Sequence, residues 1–195
     1  MKKLLTMAVA LMMSAATFAQ NQEVGTWGFN GQVGLGYGTL SGEVPSELDN
    51  GIMASFGVNA VYQATENLYV TGGLDYRMFL GDEYKIEIAG FEDKQALNFG
   101  YLDIPVVAHY TFGPHFGVLA GIQPGFLLSA KNDDVKVKDE CNSFNFGIPV
   151  GVEWTFNTPI TVSAKYVIPC TDWTDEGPAS KMSYFMVTAA YKFGM

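Results

Sequence analysis

Large apolar residues alternate with small or polar ones over most of the chain. In Trp27-Gly28-Phe29-Asn30-Gly31-Gln32-Val33-Gly34-Leu35-Gly36-Tyr37 the large apolar side chains occupy odd positions. A period of two marks a strand with one apolar face. The same rule predicts seven more strands, whose apolar faces run from Ile52 to Tyr62, Leu68 to Leu80, Leu102 to Tyr110, Phe116 to Leu128, Phe144 to Phe156, Ile160 to Ile168 and Phe185 to Phe193.

The opposite faces carry Gly, Ser, Thr, Asn, Gln and a few charges, too small and polar on this reading for a packed core. In a soluble barrel the large residues point inward, whereas in a membrane barrel they face lipid around a polar lumen. Strands of roughly 12–15 residues exceed the ~9–11 needed to cross a bilayer. The sidedness of Val150 and Val152 separates the two cases. No stretch after the first twenty residues approaches a spanning helix, and only helices or closed barrels satisfy every backbone group in lipid. The predicted fold class is all-β, an eight-stranded antiparallel up-and-down transmembrane β-barrel.

Connection lengths alternate. Residues 64–67, 113–115 and 157–159 form tight turns, while residues 41–51, 82–96, 131–142 and 171–181 form long polar loops rich in Asp and Glu. Short periplasmic turns and long extracellular loops belong to outer-membrane barrels. Trp27, Tyr62, Tyr110, Phe112, Phe116, Trp154 and Phe156 gather at the predicted periplasmic strand ends, where an interfacial girdle belongs.

The amino terminus differs from the rest. Lys2 and Lys3 precede an apolar run from Leu4 to Met13 and then small residues up to Ala19. This is a signal-peptide pattern. Residues 1–19 are expected to be removed, leaving residues 20–195 as one outer-membrane barrel domain. No Cys follows the cut, which argues against a lipid anchor. Charged residues make up 16% of the chain, against roughly 25% in ordinary domains. Without Lys2 and Lys3, 9 basic residues face 20 acidic ones. That balance excludes nucleic acid as a partner, because nucleic acid needs a basic footprint.

Alternation puts six charges on the inward face: Asp75, Arg77, Asp103, Glu153, Lys165 and Lys192. Three are acidic and three basic, and an unpaired charge in a confined interior is costly. Arg77 is expected level with Asp103, with Asp75 beside them, and Glu153 is expected to face Lys165 across a hairpin with Lys192 nearby. These pairs would close the lumen. Cys141 and Cys170 are the only cysteines. In an oxidising compartment they are expected to form a disulfide near the long loops.

Other motifs carry less. The glycines of Gly34-Leu35-Gly36-Tyr37-Gly38 lie inside a strand, so they relieve crowding and do not cradle phosphate. Lys131-Asn132-Asp133-Asp134 lacks the ligand spacing of a calcium loop. His109 and His115 both fall near the periplasmic rim, away from outer-leaflet lipid, and His109 is expected to be a hydrogen-bonded lumen histidine. No catalytic residue, metal or cofactor is expected.

Tyr101-Leu102-Asp103-Ile104-Pro105-Val106-Val107-Ala108-His109-Tyr110 and, after a turn, Leu119-Ala120-Gly121-Ile122-Gln123-Pro124-Gly125 resemble the central hairpin of the outer-membrane β-barrel domain family, which includes PorT-like and OmpX-like small barrels. Asp103 stands where that family more often has Glu, and His109 where it more often has Lys. The resemblance implies an outer-membrane barrel and transfers no role.

The function expected is that of a non-enzymatic barrel in the bacterial outer membrane. Its partners would be outer-membrane lipid and an extracellular or envelope protein met through the loops. The alternatives are a narrow porin-like channel and, after it, a lipid-modifying enzyme. Intact-mass measurement of the protein extracted from membranes is expected to give a chain beginning at Gln20. A mass that retains residues 1–19 would refute the processed form.

Overall fold

The computed structural model describes residues 23–41, 50–81, 84–88, 91–95, 97–132, 135–136, 141–172 and 180–193. The signal segment and most of the acidic loop residues lie outside these. The strands are β1 (Trp27–Ser41), β2 (Asn50–Gln63), β3 (Leu68–Gly81), β4 (Tyr84–Ile88), β5 (Phe91–Gln95), β6 (Leu97–Asp103), β7 (Val106–Phe112), β8 (Phe116–Asn132), β9 (Val135–Lys136), β10 (Phe144–Thr155), β11 (Ile160–Pro169) and β12 (Lys181–Phe193).

Nine of these close a ring of antiparallel pairings. β1 to β3 pair in sequence, β3 pairs with both β6 and β7, and both of these pair with β8. β8 pairs with β10, and β11 and β12 return the sheet to β1. β6 and β7 are successive halves of one wall, so the ring has eight walls. The break falls at Ile104-Pro105, where proline has no N–H to give the ladder. The Ile104 N–H still donates to the Pro124 carbonyl at 2.7 Å and the Gly73 N–H to the Pro105 carbonyl at 3.3 Å, so the wall stays continuous. The second long connection, read from sequence as loop, contains the β4–β5 hairpin.

Sidedness follows the alternation. Val150 and Val152 are 36% and 44% exposed, and Leu35, Ile52, Phe56, Val58, Leu74, Ile122 and Val187 are exposed with them. Large apolar residues point outward on every wall, which a soluble barrel would not tolerate. At the short-turn end, Trp27 lies against Tyr62 with ring centroids 4.8 Å apart, Tyr110 against Phe112 at 5.0 Å, and His115 stacks on Trp154 at 5.3 Å. The tight turn at Gly113 has φ 73°, a left-handed conformation that glycine adopts without strain.

The inward face departs from the sequence expectation in its upper half. Toward the long-loop end it is apolar and packed. Leu40, Met53, Phe79, Phe99, Leu127, Val167, Met182 and Met186 form a buried cluster with Tyr101, Tyr184, Ala130 and Cys141. Phe79 and Phe99 are 5.8 Å apart, and Phe99 and Tyr101 6.2 Å. Each such side chain gains on the order of 1.5–3 kcal/mol on burial. The short-turn half is polar, as expected. β3 shows the change within one strand: its inward residues read Tyr69, Thr71, Asp75, Arg77 and Phe79 from the short-turn end upward.

An arginine at the outward Val152 would sit in hydrocarbon, where it costs about 2–4 kcal/mol near mid-depth. Val152→Arg should therefore lower the unfolding free energy of the folded, heat-modifiable form by up to that much, read as a lower denaturant midpoint, and Val152→Leu should leave both unchanged. An unchanged midpoint in Val152→Arg would contradict the outward placement.

Candidate functional site

The six inward charges and their neighbours occupy the middle and short-turn half of the lumen. All but Lys192 are buried. β3 and β6 bring Asp75 and Asp103 directly opposite each other. Like charges in such positions repel, and each carboxylate has its own remedy.

Asp103 is held by Arg77, one diagonal step up the ladder. Arg77 Nε lies 2.6 Å from Asp103 Oδ2 and Nη2 lies 3.1 Å from Oδ1, a two-pronged pair with both side chains about 2% exposed. The guanidinium is also sandwiched between rings, 4.4 Å from the centroid of Tyr101 and 5.0 Å from that of Tyr184. Gln123 donates from Nε2 to Asp103 Oδ2 at 2.7 Å and to the Tyr184 hydroxyl at 2.5 Å. This layer carries the apolar cluster on its upper side. Asp75 instead accepts a hydrogen bond from Gln32 Nε2.

The second group sits lower. Glu153 on β10 accepts from the Tyr69 hydroxyl, 2.8 Å from each carboxylate oxygen, and from His109 Nδ1 at 2.7 Å. Tyr69 and His109 stack with ring centroids 4.3 Å apart. The other imidazole nitrogen lies 3.1 Å from Thr71 Oγ1. An ionised carboxylate only accepts, so Nδ1 carries the proton, and in the neutral ring Nε2 accepts from the threonine hydroxyl. Lys192 Nζ lies 4.7 Å from the centroid of the Tyr69 ring.

Arg77 and Asp103 thus meet as the sequence suggests, with Asp75 beside them. The Glu153–Lys165 pair does not form. On the β10–β11 ladder Glu153 is opposite Ser163, and Lys165 is opposite Gly151. Glu153 reaches across the lumen to β3 and β7, and Lys165 comes under the electrostatic influence of Asp75 and Asp103. Contacts across a closed ring bypass hairpin register, which is why the sequence misses them. It also misses Tyr69, Tyr101, Tyr184 and Gln123, which hold the charges.

The cysteine expectation fails for a similar reason. No disulfide joins Cys141 and Cys170. Cys141 is buried in the upper lumen cluster, while Cys170 is exposed and its backbone N–H bonds to the Phe146 carbonyl at 2.8 Å. One side chain turns inward and the other outward, and the register places Cys170 beside Phe146, further along the chain than expected.

Glycines make room for the charges. The ladder partner of Asp75 is Gly57, that of Asp103 is Gly125 and that of Glu153 is Gly117. A β-carbon on Gly117 would lie 2.8 Å from Glu153 Oε1, and one on Gly57 or Gly125 would strike the facing carboxylate. In the Gly34–Gly38 run, a β-carbon on Gly38 would lie 2.9 Å from Met53 Sδ, which supports the reading that these glycines relieve crowding.

A cavity of about 40 Å³ remains among the polar residues of the lower lumen, bordered by Asn30, Asn59, Thr71, His109, Glu153, Lys165 and Lys192 among others. It has room for a few waters or one small ion. Among the described residues no cluster of His, Cys, Asp and Glu is arranged to hold a metal.

Known proteins agree with the fold. A family model described as an outer membrane protein beta-barrel domain matches residues 18–175. The chain is similar to Neisserial surface protein A at 14% identity and a TM-score of 0.60, over 85% of this chain and 97% of that one. It is similar to Ail, the attachment invasion locus protein of Yersinia pestis, solved with the heparin analogue sucrose octasulfate, at 12% identity and a TM-score of 0.50, over 85% of this chain and 99% of that one. Such identities show a shared fold. No curated protein matches the sequence.

Replacing Arg77 with Ala leaves Asp103 buried without its counter-charge, which costs about 3–5 kcal/mol. Arg77→Ala is expected to lower unfolding stability by that amount, and Arg77→Ala/Asp103→Ala to recover part of it. A single variant as stable as the parent in a denaturant titration would disprove a dry, paired layer.

Proposed function

The chain belongs to the outer membrane protein β-barrel domain family, and from that footing we propose that it is a non-enzymatic barrel with a closed lumen, whose acidic loops meet a partner at the cell surface or in the envelope. Its place in the bacterial outer membrane follows from family and fold.

The observation that carries the closed lumen is the mid-height layer. Arg77, Asp103, Gln123, Tyr101 and Tyr184 interlock there, with a packed apolar cluster above them. Eight walls enclose an interior that side chains about fill. A solute entering from the short-turn end meets this layer, and one entering from the long-loop end meets Leu40, Phe79 and Met182.

The hydroxyl–imidazole–carboxylate series Thr71–His109–Glu153 has the order of a nucleophile, a base and an orienting group. Its setting favours a structural role. The series faces a cavity of about 40 Å³ inside the wall, which is too small for an acyl chain or a sugar. Lipid on the outer side of the strands does not reach it.

The loops supply the surface chemistry. Residues 82–96 hold Asp82, Glu83, Glu87, Glu92 and Asp93 against Lys85 and Lys94, and residues 171–181 hold Asp172, Asp175 and Glu176 against Lys181. An excess of carboxylates suits a cationic partner and disfavours a sulfated polyanion.

In planar bilayers the wild-type protein is expected to give no steady nanosiemens-scale steps, and shortening the loops is expected to leave it silent. Steady conductance from the unmodified barrel would overturn the closed lumen in favour of the channel.

A further inference from the structure

We propose that the walls from β3 to β10 carry a lateral seam just below the Arg77–Asp103 layer, a row of incomplete ladder bonds at which the barrel parts locally and water from the lower chamber enters the wall. Proline cannot donate to a ladder and is confined in sheets to edges, strand starts and bulges. A closed ring has no edge, yet Pro105, Pro124 and Pro149 fall in three adjacent walls.

Register assigns each proline its missing bond, because alternate pairs of an antiparallel ladder exchange both N–H···O bonds. On the β3–β7 ladder the Thr111 N–H donates to the Asn67 carbonyl, and steps of two along the register reach Gly73 and Pro105. The Gly73 N–H donates to the Pro105 carbonyl at 3.3 Å, and Pro105 has no N–H to return to the Gly73 carbonyl. One ladder on, the Ile104 N–H donates to the Pro124 carbonyl at 2.7 Å, and Pro124 returns nothing to the Ile104 carbonyl. On the β8–β10 ladder Thr155 donates to His115 and Leu127 to Ser143. Steps of two between those pairs set Pro149 opposite Gly121, and the pairing lapses there, between Gly147↔Gln123 and Val150↔Ala120. The Gly121 carbonyl is the third without its ladder donor. All three lie within two residues of one line across the walls, Gly73–Pro105–Gln123–Gly147. On the far side of the ring the β12–β1, β1–β2 and β2–β3 registers run without a gap.

The two faces of this wall differ. Outward, Ile104, Ile122 and Ile148 are exposed to hydrocarbon, where no water completes the bonds. Inward, Pro105, Val107 and Leu119 border the chamber, which has room for a few waters. Parting of the strands lets chamber water donate to the three carbonyls, which offsets the bonds that break. Local opening of this kind is read by amide exchange.

The test is NMR-resolved hydrogen–deuterium exchange on the mature, folded chain in nonionic micelles. The amides of Gly73, Ile104 and Gly121 are expected to exchange faster than those of Gln32 and Gly57, which pair on the unbroken β1–β2 ladder at the level of Asp75. The ratio should be roughly fivefold to tenfold, the worth of about one ladder hydrogen bond. Pro124→Ala restores a donor opposite Ile104 and should slow the exchange of that amide, and Pro149→Ala should do the same for Gly121. Should a proline variant fail to fold by heat-modifiable gel mobility, a disulfide clamp gives a second measurement. Ile122→Cys and Ile148→Cys, set opposite each other by the β8–β10 register, are introduced together with Cys141→Ala and Cys170→Ala. Exchange at Gly121 should slow in the oxidised form and recover on reduction. Equal rates at the seam and reference amides, or seam rates unmoved by a restored donor or by the clamp, would overturn the seam. Global unfolding moves both sets of amides together, so the ratio isolates local opening. Axial conductance is not the readout, so this result is separable from that for the closed lumen.

Discussion

The interior of this barrel depends on how one guanidinium is held. Arg77 is nearly inaccessible, locked to Asp103 by two hydrogen bonds and clasped between the faces of Tyr101 and Tyr184. The rings tolerate the charge through their electron-rich faces, and they belong to the apolar cluster above. The same layer therefore joins two incompatible media. Its upper side is continuous with methionine, leucine and phenylalanine, and its lower side with amides, hydroxyls and the remaining charges. Without the pair, Asp75 and Asp103 would face each other on adjacent strands with only the charge of Lys165 to offset both.

Much of this architecture was legible in the sequence because alternation is a local property. Eight apolar faces, their outward sense, the alternation of short and long connections, and the inward placement of all six charges follow from neighbours two residues apart. The Arg77–Asp103 pair was legible because β3 and β6 are adjacent. What was not legible spans the ring. Glu153 finds Tyr69 on β3 and His109 on β7, and no hairpin count links those walls to β10. Met53, Phe79, Met182 and Met186 occupy inward positions in the pattern, but the expectation of a polar lumen hid their clustering near one end.

The family and the two solved barrels establish the scaffold and leave its task to the residues. Identities of 12–14% mean that the strands are shared while their fillings are free to differ. Here, among the described residues, the filling divides the lumen into an upper apolar cluster and a lower chamber bordered by four ionisable side chains, His109, Glu153, Lys165 and Lys192.

The pairing of glycine with charge has a consequence for how this sequence can change. Asp75, Asp103 and Glu153 each extend over a glycine on the neighbouring strand, so each acid and its glycine occupy a single allotment of volume. Neither member can drift alone. A methyl group added at Gly125 displaces the Asp103 carboxylate, whereas the same methyl group meets nothing closer than Arg77 Nη2 at 3.7 Å once residue 103 has shrunk. Among diverging relatives these positions should exchange bulk in compensating steps, and the trace of the lumen's charges would survive as covariation between partners on neighbouring strands even where no single residue is retained.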